Sequence, residues 1–305
     1  MTESISVIIP TLNEKTLVRT IEALLEQTRP ADEIVVVGRD EAGVTRAYPQ
    51  VLFIDTGRPV CAAAARNKGM ETARGDIIAF TDSDCIPDTD WLKCLEDAHT
   101  QGADIVGGGI SLKGKNYWAQ SDNVSMFHDF VDDHPAGTRD LLPTLNLSVR
   151  RTIIDKVGYM DESFPGAAAE DTDWTVRMCL AGHVLHFHPP ARVQHAPART
   201  QWRDLVRHWT NSGYSGIRVR HRYAFYFNTP SFARSAFLLR ALSPLIALRV
   251  TASIYANSIF WRHLAYLPVV YLTKIIYCFG AANSVKNGFA FDHPTTTDDV
   301  ATQPD

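Results

Sequence analysis

Short apolar runs alternate with amphipathic stretches from the N-terminus to about Pro197. Residues 5–9, 33–37, 51–54, 77–80 and 105–110 are compact apolar runs bounded by polar and turn-forming residues. Each predicts a buried strand. Between them, 15–27 sets Leu17, Ile21, Leu24 and Leu25 on a helical stripe, 59–73 is Ala-rich and helical up to Gly75, and 90–99 reads as a third helix. Farther on, 145–149 reads as a strand, 152–157 as a short helix, 170–181 as a helix ended by Gly182, and 184–188 and 192–195 as short strands. Helices alternating with strands imply βαβ units, hence an α/β fold of Rossmann-like type with a mostly parallel sheet flanked by helices. In such sheets ligands bind beyond the carboxyl ends of the strands.

The pattern changes after Pro197, where Tyr, Phe, Trp, Leu and Arg dominate and Pro244 and Pro268 are expected to delimit helices. The expected divisions are an α/β domain over 1–198, a mainly helical region over 199–291, and a disordered tail over 292–305. No internal repeat is evident.

Composition adds little for the whole chain and much for its parts. At 305 residues, 45% hydrophobic and 21% charged, it is an ordinary folded protein, which excludes wholesale disorder and collagen-like structure. Its five Cys lack any paired C-x-x-C spacing, against a disulfide framework or zinc ribbon. The net charge of −4 hides a division. Residues 1–198 hold 18 Lys and Arg against 29 Asp and Glu, whereas 199–291 hold 12 basic residues and one acid, Asp204. Anionic surfaces are therefore candidate partners of the second region. Its longest uncharged run, 250–261, has 12 residues, short of the roughly 18 of a membrane-spanning helix. The acid at Glu3 and the short apolar run after it do not make a signal peptide, so a cytosolic location is expected.

Asp82-Ser83-Asp84 follows the strand predicted at 77–80 directly. Two carboxylates at i and i+2 of an extended segment lie on one side, and with diphosphate oxygens they suit a hard divalent cation. The plainer reading is turn and capping acids. Two further Asp-x-Asp triplets, at 88–90 and 171–173, show how common the bare pattern is. Only the first stands at the end of an apolar strand.

Three ordered motifs then carry a resemblance: Ser6-Val-Ile-Ile-Pro-Thr-Leu-Asn-Glu14, Ala65-Arg66-Asn67-Lys68-Gly69, and Gly75-Asp76-Ile-Ile-Ala-Phe-Thr-Asp-Ser-Asp84. Together they resemble the nucleotide-sugar half of glycosyltransferase family 2, which has a GT-A fold, from about residue 4 to about 200. The resemblance implies that Pro10, Thr11, Asn13 and Glu14 lie against the nucleoside, although Asn13 would also serve as a helix cap. It implies that Arg66 faces the diphosphate and Asn67 the nucleoside, that Asp82 with Ser83 meets the ribose or the metal, and that Asp84 is the main metal ligand. His195 would complete that site with Mn²⁺ or Mg²⁺. Glu170-Asp171 resembles the family's acidic pair, with Asp171 as general base and Trp174, on the same helical face, packing against a sugar or the acceptor. The plainer reading is acids favouring a helix N-terminus. Asn146 would lie under the donor sugar. After the second strand, where related sequences carry an acidic pair that reads the base, this chain has Val37-Gly38-Arg39-Asp40-Glu41. Asp40 is the candidate substitute, with uridine as the default base and thymidine and guanosine open.

The activity so implied is an inverting, metal-dependent, hexosyltransferase-type transfer from a nucleoside-diphosphate sugar to a hydroxyl on a lipid-linked or surface-polysaccharide precursor. The basic aromatic region resembles the hydrophobic C-terminal part of bacterial members and is expected to lie on the inner face of the cell membrane, with no nucleic-acid partner. The alternative is a non-catalytic, membrane-associated scaffold that binds sugar nucleotides.

Overall fold

The computed structural model describes residues 3–197 and 199–289; the tail expected to be disordered, 292–305, lies outside the described residues. The chain divides into two units. Among the described residues, one runs to Ser111 and resumes over Asp129–Ala196; the other takes Leu112–His128 and the chain from Pro197 to Phe289. A single boundary near residue 198 does not anticipate the excursion at 112–128.

The first unit is built on a nine-stranded sheet. Its strands are β1 (Ile5–Leu12), β2 (Glu33–Arg39), β3 (Val51–Asp55), β4 (Ile77–Thr81), β5 (Cys85–Pro87), β6 (Ile105–Ser111), β7 (Gly137–Arg139), β8 (Asn146–Arg150) and β9 (Leu185–His195). They lie in the order β3-β2-β1-β4-β8-β6-β9-β5, with β7 on β9. In β1, Ile5, Val7, Ile8 and Ile9 are wholly buried. A central strand covered on both faces is a continuous apolar run rather than an alternating one. β3, β2, β1 and β4 are parallel, as expected. The remainder is mixed. Re-entering after 128, the chain inserts β8 antiparallel between β4 and β6, and β5 and β7 pair antiparallel with β9. The two strands expected at 184–188 and 192–195 are one strand, β9, whose register on β6 shifts near Gly108 and Ile110.

The helices are α1 (Leu17–Leu25), α2 (Ala62–Thr72), α3 (Trp91–Thr100), α4 (Tyr117–Phe127), α5 (Arg151–Val157), α6 (Glu170–Leu180), α7 (Trp202–Arg222), α8 (Ala236–Ala241), α9 (Ser243–Ala256) and α10 (Leu267–Lys286). In the second unit α4 joins α7–α10. Pro244 and Pro268 fall in the first turns of α9 and α10, where a missing N–H costs nothing. Gln201 and Asp204 form a capping box at the start of α7. α7 and α10 cross at glycines: a Cβ on Gly213 would fall 2.0 Å from the Tyr277 carbonyl oxygen, and one on Gly280 2.1 Å from that of Thr210. The buried Asp122 of α4 accepts from Arg199 Nε at 2.6 Å and Trp209 Nε1 at 2.8 Å, so its charge is held inside the unit by both.

Candidate active site

Because β1, β2 and β4 are parallel neighbours, their carboxyl ends bring together Pro10–Leu12, Arg39-Asp40 and Thr81-Asp82. α2 supplies the cation. Its small residues Ala63 and Ala65 are buried with Arg66, which is 2% exposed. Arg66 Nη2 donates to Asp82 Oδ1 at 2.7 Å and Nη1 to Glu170 Oε1 at 2.8 Å. One guanidinium therefore bridges the acid after β4 and the first acid of α6, which are far apart in the chain. In the protein as folded Arg66 faces carboxylates; the role expected for it was toward a diphosphate.

Glu170 and Asp171 open α6 behind Ala169, whose φ of 73° lies in the left-handed region. Glu170 is 2% exposed and its Oε2 has no hydrogen-bond partner. Burial, reinforced by the neighbouring charge of Asp171, pushes its carboxyl up to about 7 despite Arg66. Asp171 is half-buried, and burial also raises its pKa, opposed by Arg66 and by the Thr172 and Thr144 backbone N–H groups. Its Oδ1 accepts from Thr172 N at 2.7 Å. Thr144, which no sequence motif singles out, thus touches the acidic pair through its backbone, where side-chain chemistry gives no signal.

The two acids of the Asp82-Ser83-Asp84 turn part company. Cys85 N closes the turn on the Asp82 carbonyl at 3.0 Å. Asp82 goes to Arg66, whereas Asp84 Oδ2 lies 3.5 Å from His195 Nε2. The pairing of Cys85 with His195 across β5 and β9 sets the two donors side by side. A carboxylate and an imidazole converging on one point fit a borderline divalent cation that takes its other ligands from phosphate oxygens or water. Among the described residues no group of three or more His, Cys, Asp or Glu side chains gathers closely enough to hold a metal ion by itself. Ser83 is buried, and its carbonyl accepts from Thr16 Oγ1 and Thr20 Oγ1, fastening the turn to α1.

Other expected contacts have inward duties. Asn146 is wholly buried: its Oδ1 accepts from Trp91 Nε1 and its Nδ2 donates to the Gly109 and Ala191 carbonyls, so it knits β6, β8, β9 and α3 together rather than facing a sugar. Trp174 is wholly buried, edge-on to Phe80 at 5.6 Å, with Nε1 on the Gly158 carbonyl; it is core and presents no ring to a ligand. Asn67 clamps the 160–162 segment, donating to the Met160 carbonyl and Glu162 Oε1 and accepting from Met160 N. Asp40 spends its carboxylate on Val44 N, Thr45 N and Thr45 Oγ1. In the first loop, Asn13 has a φ of 57° and its Oδ1 accepts from Glu41 N. It is not the cap of α1, whose cap is Thr16. Glu14 accepts from Thr16, Pro10 is half-buried, and Thr11 is buried with an unpartnered Oγ1.

The sequence matches the family model described as glycosyl transferase family 2 over residues 6–142, and the one described as glycosyl transferase family group 2 over residues 77–289. The chain belongs to glycosyltransferase family 2. Among curated members it is 29% identical over 197 residues to glycosyltransferase AglE of Haloferax volcanii, covering 60% of this chain and 64% of that one. It is also 29% identical over 180 residues to the Escherichia coli UDP-Glc:alpha-D-GlcNAc-diphosphoundecaprenol beta-1,3-glucosyltransferase WfaP, covering 55% and 67%. The chain spans from about a third to about two thirds of the length of the curated relatives it matches. In fold it is similar to the mannosyltransferase PcManGT of Pyrobaculum calidifontis, solved with GDP-Man and Mn²⁺. The TM-score is 0.63 at 16% identity, over 94% of this chain and 88% of that one. The GT-A α/β fold is thereby borne out for this family 2 chain.

Proposed function

We propose that this chain is an inverting glycosyltransferase that moves a sugar from a nucleoside-diphosphate donor to a hydroxyl of a lipid-linked or polysaccharide acceptor at the inner face of the cell membrane. The observation that carries the reading is the Asp82–Arg66–Glu170 bridge, with Asp171 beside it, at the carboxyl ends of the parallel strands. The lipid-linked acceptor that WfaP is named for and the GDP-Man bound to PcManGT support the substrate class.

In this mechanism Asp171 accepts the proton of the acceptor hydroxyl as its oxygen bonds to the anomeric carbon. The bond from that carbon to the diphosphate oxygen breaks, and the nucleoside diphosphate leaves with the electron pair. Burial raises the Asp171 carboxyl above its ordinary range, which makes it a stronger base than a solvated carboxylate. Arg66 holds Glu170 and Asp82 in place around this base. Asp84 and His195 would hold a divalent cation, which when bound supplies positive charge to the diphosphate leaving group. The first loop, from Pro10 to Glu14, would border the nucleoside.

Asp171→Asn tests the base. It is expected to lower transfer by about a hundredfold or more while donor affinity, read by calorimetry with Mn²⁺, changes less than about threefold. Transfer at the original rate would remove Asp171 from that role. Donor hydrolysis without acceptor by the unsubstituted chain separates an enzyme from a binding scaffold.

A further inference from the structure

The stretch Ser258–Lys286 is long and apolar enough to cross a membrane. Its helical core, α10, is already committed inside the second unit. Lys274 Nζ donates to the Ser125 carbonyl at 2.8 Å and stands 4.4 Å from the centre of the Trp209 ring. Thr273 Oγ1 meets Ser125 Oγ at 2.7 Å, and Gly280 packs against the backbone of α7. Lipid cannot replace these partners without stranding a charge and a hydroxyl in hydrocarbon.

The outer face of α9 is different. Ala247, Thr251, Ile254 and Tyr255 form its buried stripe, and helical spacing puts Leu245, Leu248, Arg249 and Ala252 on the opposite side. Leu245 and Leu248 are 65% and 59% exposed. Beyond the end of α9, in the 3₁₀ segment Ser258–Tyr266, Trp261 donates its Nε1 to the Tyr255 carbonyl at 3.1 Å, yet the residue is 62% exposed. Large apolar side chains and an arginine on an outward helix face, followed closely by an exposed indole, are the composition of interfacial helices. Arg249 on this face and Arg262 beside Trp261 are exposed cations, complementary to anionic headgroups.

We infer that the outer face of α9, continued by Trp261, lies in the plane of an anionic bilayer surface, and that α10 remains a core helix that does not cross it. This inference rests on the membrane-facing part of the function proposed above, and its test is independent of the chemistry.

The full-length protein is mixed with vesicles of phosphatidylcholine containing about one-third phosphatidylglycerol, and bound protein is measured by sedimentation. The unsubstituted chain is expected to bind, more weakly to phosphatidylcholine alone, and to be released by alkaline carbonate. Leu245→Asp with Leu248→Asp is expected to weaken binding about tenfold or more while leaving donor hydrolysis unchanged. Both positions are exposed, so the fold is not at stake. Undiminished vesicle binding by this variant, or resistance of the parent to alkaline carbonate, overturns the inference. So does a parent dimer that the double variant converts to monomer with vesicle binding unchanged. Loss of hydrolysis by the parent would count against the enzymatic reading and not against this surface.

Discussion

Arg66 is the junction of the site, because a single guanidinium fills a gap between carboxylates from two distant segments. Planar, forked donors suit such a bridge better than an ammonium does. The bridge does not cancel the acid excess, and Glu170 is the group that registers it, raised from 4.5 to about 7. With the folded-state pKa above the unfolded one, the native state binds more protons between these values, so stability falls as pH rises through that window. Glu170→Gln removes the titration. It is expected to flatten the pH dependence of the unfolding free energy between about pH 4.5 and 7, a change on the order of 1–3 kcal/mol. Urea unfolding at a series of pH values checks this, and an unchanged slope would locate the dependence elsewhere.

At the scale of elements, β8 shows how a polar residue becomes structural. Gly108 in β6 leaves the space that Asn146 fills. A Cβ on Gly108 would fall 1.9 Å from the Ala191 carbonyl oxygen and 2.4 Å from Asn146 Nδ2. Asn146→Ala strands the Gly109 and Ala191 carbonyls and the Trp91 indole N–H in a dry interior. The expected loss is about 3 kcal/mol or more, seen as a lower midpoint in thermal or denaturant unfolding. A direct ligand contact would instead show mainly in donor or acceptor affinity. The apolar pattern places β8 within a residue, yet its direction and the inward duty of its first residue come from neighbours that enter the sheet far away in the chain.

At the scale of the molecule, the excursion at 112–128 makes the second unit discontinuous. α4 buries Ala119, Val124 and Phe127, and its Asp122 is neutralised by Arg199. A chain cut after Pro197 keeps α4 and Asp122 but loses Arg199, Trp209 and α10. Such a chain is expected to aggregate or to unfold at lower temperature than the full-length protein, because it exposes an apolar helix and leaves an unpaired buried acid. Soluble yield and a melting curve check this; a stable, monomeric 1–197 fragment would show that α4 finds other cover.

Several features were legible in the amino-acid order alone. The parallel strands were, because a strand covered on both faces is an uninterrupted apolar run. So were the helix boundaries at Pro244 and Pro268, the stations of Asp82, Asp84, Glu170, Asp171 and His195 at element ends, and the division of charge at about residue 198. These are local properties of spacing and composition. Tertiary structure decided the partners. It gave Arg66 to Asp82 and Glu170, set Asp84 against His195, turned Trp174 and Asn146 inward, and drew α4 out of the first unit. A lone polar or aromatic residue has no periodicity around it, so the groups facing it, and hence whether it meets a ligand or the core, are set only when segments distant in the chain pack together.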